Sequence, residues 1–120
     1  MIESKIVEIG ELVPSFAEEM VLILFGPTAT AELKSISVIH EFVTKPNIFL
    51  KVGTKFMVGN ENQTYTITQV GAAANKNFTE LGHISIYFSM DKNEILPGAI
   101  LAEPKIYPTL NQGDTIRFYN

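Results

Sequence analysis

No cysteine and no tryptophan occur among the 120 residues, and only one of the nine basic residues, Arg117, is an arginine. Each shortage removes a class of function. Without cysteine there is no disulfide framework, no zinc thiolate centre and no thiol nucleophile. The lysines are scattered, the net charge is −4 and no basic run is available to track a phosphate backbone, so nucleic acid is not an expected partner. The longest apolar run, Met20-Val21-Leu22-Ile23-Leu24-Phe25, is far shorter than the roughly 20 residues of a membrane-spanning helix. No basic start followed by an apolar segment marks export, which makes the cytoplasm the expected location. Also missing are a Gly-x-x-x-x-Gly-Lys-Ser/Thr phosphate loop, a Gly-x-Ser-x-Gly elbow and any His-x-His or His-Glu-x-x-His spacing. No cofactor and no metal are expected.

What the chain does have is a hydrophobic fraction of 46% in a length suited to one domain, 1–120. Short β-rich runs bounded by Gly, Pro and Asn predict strands over 5–9, 20–25, 36–43, 55–58, 64–70, 83–89, 99–102 and 115–119. Eight short strands in so small a chain predict an all-β fold, a closed or nearly closed barrel with one or two short helical turns. The clearest hairpin joins 55–58 to 64–70 through the polar turn Gly59-Asn60-Glu61-Asn62-Gln63. Leu50-Lys51-Val52-Gly53, Leu96-Pro97-Gly98 and Leu110-Asn111-Gln112-Gly113 each follow a leucine with a glycine suited to positive φ at a barrel corner. A strand at 20–25 could lie at an edge and pair with a second copy or could equally be central, which leaves a homo-oligomer open.

Two helical segments are expected, one over 29–34 and one opening at Asn77-Phe78-Thr79-Glu80, which has the spacing of a capping box. The second follows Gly71-Ala72-Ala73-Ala74, whose small side chains suit either close packing or the approach of an anion to free N–H groups.

His40 and His83 are the only histidines, and so the only neutral-pH acid, base or nitrogen nucleophile. Period-2 alternation sets His40 with Ile36, Val38 and Phe42 on one strand face and Ser37, Ile39 and Glu41 on the other. Two readings fit that placement: a partly buried histidine bonded to backbone, or a reactive imidazole on a rigid element. His83 starts a later strand, on the face of Leu81, Ser85 and Tyr87.

Ile39-His40, the stretch from Val70-Gly71 through Asn77-Phe78-Thr79-Glu80-Leu81-Gly82-His83, Pro97-Gly98, and the ending Gly113-Asp114-Thr115-Ile116-Arg117-Phe118 together carry a likeness over the whole chain. The chain resembles the glucitol/sorbitol-specific enzyme IIA component of the bacterial phosphoenolpyruvate-dependent sugar phosphotransferase system. That resemblance implies a small cytoplasmic β-barrel phosphocarrier. It would accept a phosphoryl group from HPr and pass it to the IIB component, meeting the membrane only indirectly through IIC. The resemblance makes His40 the phosphoryl acceptor, and the alternation that sets Val38 and Phe42 beside it then suggests a shallow apolar patch on which HPr could dock. His83 becomes an assisting group near His40, helped by N–H groups of the 71–77 loop. Glu41-Phe42-Val43 follows His40 where other family members can carry a further polar or histidine residue, so an assisting group must come from elsewhere or be absent. The other classes left open are a non-phosphorylated binding or regulatory barrel associated with a transporter, and a small-ligand barrel with an apolar cavity.

Overall fold

Apolar residues at every second position give this chain its inner wall. Tyr65 and Ile67, Ile84 and Ile86, and Ile116 and Phe118 are each buried while the residues between them are more open, the pattern of strands with one face on a core. The computed structural model describes residues 1–59, 63–89 and 95–120. Within them the chain runs β1 (Ile2–Ile9), α1 (Val13–Ala17), β2 (Val21–Phe25), α2 (Ala31–Ile36), β3 (Val38–Thr44), β4 (Lys55–Val58), β5 (Thr64–Val70), α3 (Ala74–Leu81), β6 (Ile84–Tyr87), β7 (Ala99–Glu103) and β8 (Thr115–Tyr119). The strands close into a barrel in the order β1-β3-β2-β6-β7-β5-β4-β8, as expected for an all-β chain of this kind. Phe56, Tyr65, Phe78 and Phe118 are among the largest side chains filling its interior.

Most neighbours are antiparallel, but β2 with β3 and β6 with β7 are parallel. A parallel neighbour requires a crossover of about a dozen residues, and 26–37, which contains α2, supplies one of the right length. The crossover brings Gly26, Pro27 and Thr28 against the end of α3. On the outside of β2 and β3, Phe25, Ala29 and Ile39 form a second small cluster with Val7 and Leu33.

The expected hairpin of β4 and β5 forms, with Phe56 opposite Tyr65, while Asn60, Glu61 and Asn62 of its turn lie outside the described residues. β2 is bonded on both sides, to β3 and β6, and is therefore not an edge. Gly53 and Gly113 take the positive φ expected at corners. Gly98 does not: it is the near approach of the Asn77 side chain, 3.2 Å from where a Cβ would stand, that leaves little room there.

Both helical expectations change, and a third helix is present. α3 begins at Ala74, so Asn77 is inside the helix and Glu80 is near its end; no capping box forms. The Ala73 N–H is instead satisfied by the Pro97 carbonyl at 2.8 Å, a long-range contact that replaces a local cap. α2 starts two residues later than expected because Thr30 caps it, its hydroxyl oxygen accepting from the Leu33 N–H. The five-residue α1, with Pro14 in its first turn, is too short to show a helical period in the sequence.

Candidate functional site

His40 stands on β3 opposite Ile6 of β1, and the alternation of the strand turns its ring inward. It is 1% exposed. Phe42 meets the ring edge-on at a centroid distance of 5.2 Å, and Phe78 of α3 lies nearly parallel to it at 5.9 Å. The two phenylalanines touch each other at 5.2 Å, so three rings lock together. Val38, expected to join a docking patch, is completely buried in the core and has no surface to offer; Phe42 is half-buried.

The polar partner of His40 comes from the end of α3. There Gly82 takes a left-handed conformation (φ 66°), its N–H bonding to the Phe78 carbonyl while the next N–H, of His83, bonds to Asn77. This closure turns the Gly82 carbonyl towards His40, and Nε2 lies 2.7 Å from that oxygen. A carbonyl only accepts, so Nε2 carries the proton. Nδ1 is then the unprotonated nitrogen, and it is buried with no hydrogen-bond partner among the described residues. Burial pushes the pKa of His40 below the ordinary histidine value, partly offset by the Gly82 hydrogen bond. Burial therefore favours the neutral ring, and the Gly82 carbonyl favours its Nε2–H tautomer.

Gly26 completes the frame. Its N–H donates to the Leu81 carbonyl at 2.9 Å, and a Cβ on Gly26 would lie 2.6 Å from that same oxygen. A Cβ on Gly82 would lie 3.0 Å from the Gly26 nitrogen and 3.2 Å from His40 Nε2. Two glycines thus allow the crossover and the end of α3 to meet beside the Nε2 edge of the imidazole. Beside them is a cavity of about 150 Å³ whose lining includes His40, Phe42, Thr28, Thr79, Glu80 and Gly82. Thr28, Thr79 and Glu80 are exposed around its mouth.

His83 is half-buried and stacks on Phe25 at 4.5 Å, in contact with the outer cluster rather than with the ring of His40. Burial also lowers its pKa. The structure joins the two histidines through Gly82, the immediate neighbour of one and the hydrogen-bond partner of the other. The N–H groups of Gly71, Ala73, Ala74 and Asn77 are all bonded within the protein, to Ala99, Pro97, Gly71 and Ala73 respectively. Close packing accounts for that loop, since a Cβ on Gly71 would meet the Leu96 and Pro97 carbonyl oxygens at 2.3 and 2.4 Å. Nothing in the sequence ties Gly26, Pro27 and Thr28 to His40; the only local signal is a Gly-Pro pair directly after the apolar run. Among the described residues no group of three or more metal-ligating side chains is close enough to hold an ion, and no helix is long and apolar enough to cross a membrane.

The chain is similar, over 98% of its length and 99% of the other, to a crystal structure of a PTS system IIA component from Enterococcus faecalis V583, with a TM-score of 0.89 and 30% identity. The chain belongs to the family of PTS system glucitol/sorbitol-specific IIA components, whose family model matches residues 1–117. Glucitol/sorbitol-specific EIIA components of Shigella flexneri and of Escherichia coli (strain K12) are each 26% identical to it over 116 residues, covering 97% of this chain and 92% of theirs. A component of the sugar phosphotransferase system is thus the class of protein in which the His40 site is to be understood.

Proposed function

We propose that the chain is a cytoplasmic phosphocarrier that accepts a phosphoryl group from phospho-HPr on His40. It passes the group to the IIB component, for the coupled uptake and phosphorylation of glucitol or sorbitol, and reaches the membrane only through IIB and IIC. The observation that carries this reading is the neutral imidazole, fixed on a strand by a main-chain carbonyl beside a cavity large enough for a phosphoryl group. Reversible transfer between proteins asks for a nucleophile that needs no base, and a histidine held neutral meets that demand. Little else is required beyond positioning, which strand, carbonyl and ring stack provide together.

The exposed rim formed by Pro27, Thr28, Thr79 and Leu81, with the half-buried Phe42, is the face on which HPr and IIB would dock. The hydroxyls of Thr28 and Thr79, which line the cavity, would donate to phosphoryl oxygens there. His83 assists by position: its stack on Phe25 steadies the chain at Gly82, whose carbonyl orients His40.

One observation favours a second reading. A histidine only 1% exposed and bonded to backbone is also what a purely structural residue looks like, in a regulatory barrel that is never phosphorylated. Intact mass after incubation with phosphoenolpyruvate, enzyme I and HPr separates the two. Wild type and His83→Ala are expected to gain one phosphoryl group, His83→Ala more slowly, and His40→Ala none. If wild type gains nothing while a control carrier is phosphorylated, the regulatory reading takes its place.

A further inference from the structure

We infer that Glu80 sets how readily this carrier gives its phosphoryl group away. Its carboxylate and the C-terminal end of α3 oppose the negative charge that arrives on His40, so the loaded form is held high in energy and passes the group on. This rests on the phosphocarrier reading and adds to it what drives the group forward.

The surroundings of His40 are arranged against an anion. Nε2 faces the Gly82 carbonyl at 2.7 Å, and that carbonyl stands at the C-terminal end of α3, the negative end of the helix dipole. Anions are stabilised at the opposite end of a helix, where free N–H groups point outwards. The last turn of α3 carries no basic residue to offset this. Among the described residues lining the cavity beside the ring there is no lysine or arginine, and Glu80 is the one that brings a negative charge. Lys76, one turn earlier on α3, is neither ion-paired with Glu80 nor part of that lining. Glu41, the other carboxylate close to His40 in sequence, is on the outer side of β3 opposite Lys5.

The repulsion acts on one state only. When the group arrives, an unprotonated imidazole nitrogen of His40 bonds to phosphorus as the donor's N–P bond breaks, and the electron pair of that bond stays with the donor ring. Each ring keeps the proton on its other nitrogen. In the next transfer the N–P bond of His40 breaks towards the acceptor's nucleophile, and its electron pair returns to His40. The phosphoryl oxygens carry their negative charge through both steps, so it stands beside Glu80 only while His40 is loaded. Hydrogen bonds from Thr28 and Thr79 would orient those oxygens without cancelling their charge. Glu80 is two residues from Gly82, which sets carboxylate and phosphoryl group apart by a distance on the order of the ~8 Å Debye length at physiological salt. Like charges at that range, on a partly solvated rim, shift an equilibrium by about two- to tenfold.

Phospho-HPr freed of enzyme I and phosphoenolpyruvate, mixed with an equal amount of the chain, reaches an equilibrium that the intact masses of both proteins report. Glu80 is exposed, so its substitution leaves the core undisturbed. At about 0.1 M salt the equilibrium constant for transfer from phospho-HPr is expected to be about two- to tenfold larger for Glu80→Gln than for wild type, and larger again for Glu80→Lys. At about 1 M salt, where the screening length falls to ~3 Å, the three proteins should converge. Equal constants in wild type and Glu80→Gln at low salt overturn the inference, as does a difference that salt leaves unchanged, which would belong to packing. A variant that reaches the same equilibrium at a different rate overturns it too, and makes Glu80 a docking contact. In all three cases wild type still carries the group and the phosphocarrier reading stands. If wild type takes none while a control carrier is phosphorylated, that reading falls and this inference with it.

Discussion

His40 is a base kept from its proton by its surroundings, and this ties the stability of the fold to pH. Burial lowers its folded-state pKa below the value of about 6.5 that it has in the unfolded chain. Between those two values the unfolded state binds more protons than the folded one, so stability rises with pH across that window and is lost as pH falls from about 6.5. The expected outcome is a fall in unfolding free energy under mild acid, with a slope of at most about 1.4 kcal/mol per pH unit for one such group. Denaturant titrations at a series of pH values check it, and His40→Gln should flatten the slope without abolishing it, because His83 is shifted in the same direction. An unchanged slope in His40→Gln would mean that the imidazole is not held neutral by the fold. Strand alternation is enough to place His40 with Val38 and Phe42, since a period of two residues is a local property. Its partner is not local. Gly82 lies 42 positions away and reaches the ring only because a left-handed residue ends α3 there, which no pattern around His40 encodes.

At the scale of elements, the site is the meeting of one strand, one crossover and one helix end. The strands were legible because each declares itself by alternation between Gly, Pro and Asn boundaries, and β4, β5 and β8 match their expected limits. The start of α3 is unmarked for a physical reason: the N–H of Ala73, just ahead of the helix, bonds to the Pro97 carbonyl of a distant loop and that of Ala74 to Gly71, with no side-chain cap. Its end is marked, by Leu81-Gly82, and there the sequence and the site coincide. Gly82→Ala is expected to destabilise the protein by about 2 kcal/mol or more, made up of the roughly 1–2 kcal/mol cost of a left-handed alanine and a close contact with Gly26. The added methyl would lie 3.0 Å from the Gly26 backbone nitrogen, an atom that cannot swing aside. Thermal unfolding measures the loss. A melting temperature equal to wild type would show that the crossover and the helix end are not in contact as described.

Over the whole molecule, closure of the barrel is what carries the site. β8 bonds to β1 on one side and β4 on the other, joining the two ends of the chain and leaving β2 and β3 no edge at which to slip. Closure could be expected from the number of strands, but not the strand order, nor the two parallel pairs that place 26–28 beside the end of α3. Phe118 of β8 shows how that closure is felt at His40. It is fully buried, its ring 5.2 Å from Phe56 and 5.2 Å from Phe78, and Phe78 in turn stacks on the imidazole. Phe118→Ala is expected to cost about 3–5 kcal/mol in urea unfolding, the usual loss for deleting a buried phenyl ring. The cavity it leaves would also loosen Phe78, so the transfer rate from HPr should fall even at temperatures where the variant remains folded. Val43→Ala, on the same strand as His40 but 64% exposed, should stay within about 0.5 kcal/mol of wild type. If the folded Phe118→Ala protein transferred phosphoryl as fast as wild type, the ring stack would be packing alone, and the positioning of His40 would have to rest on Gly82 and β3 without help from the far side of the barrel.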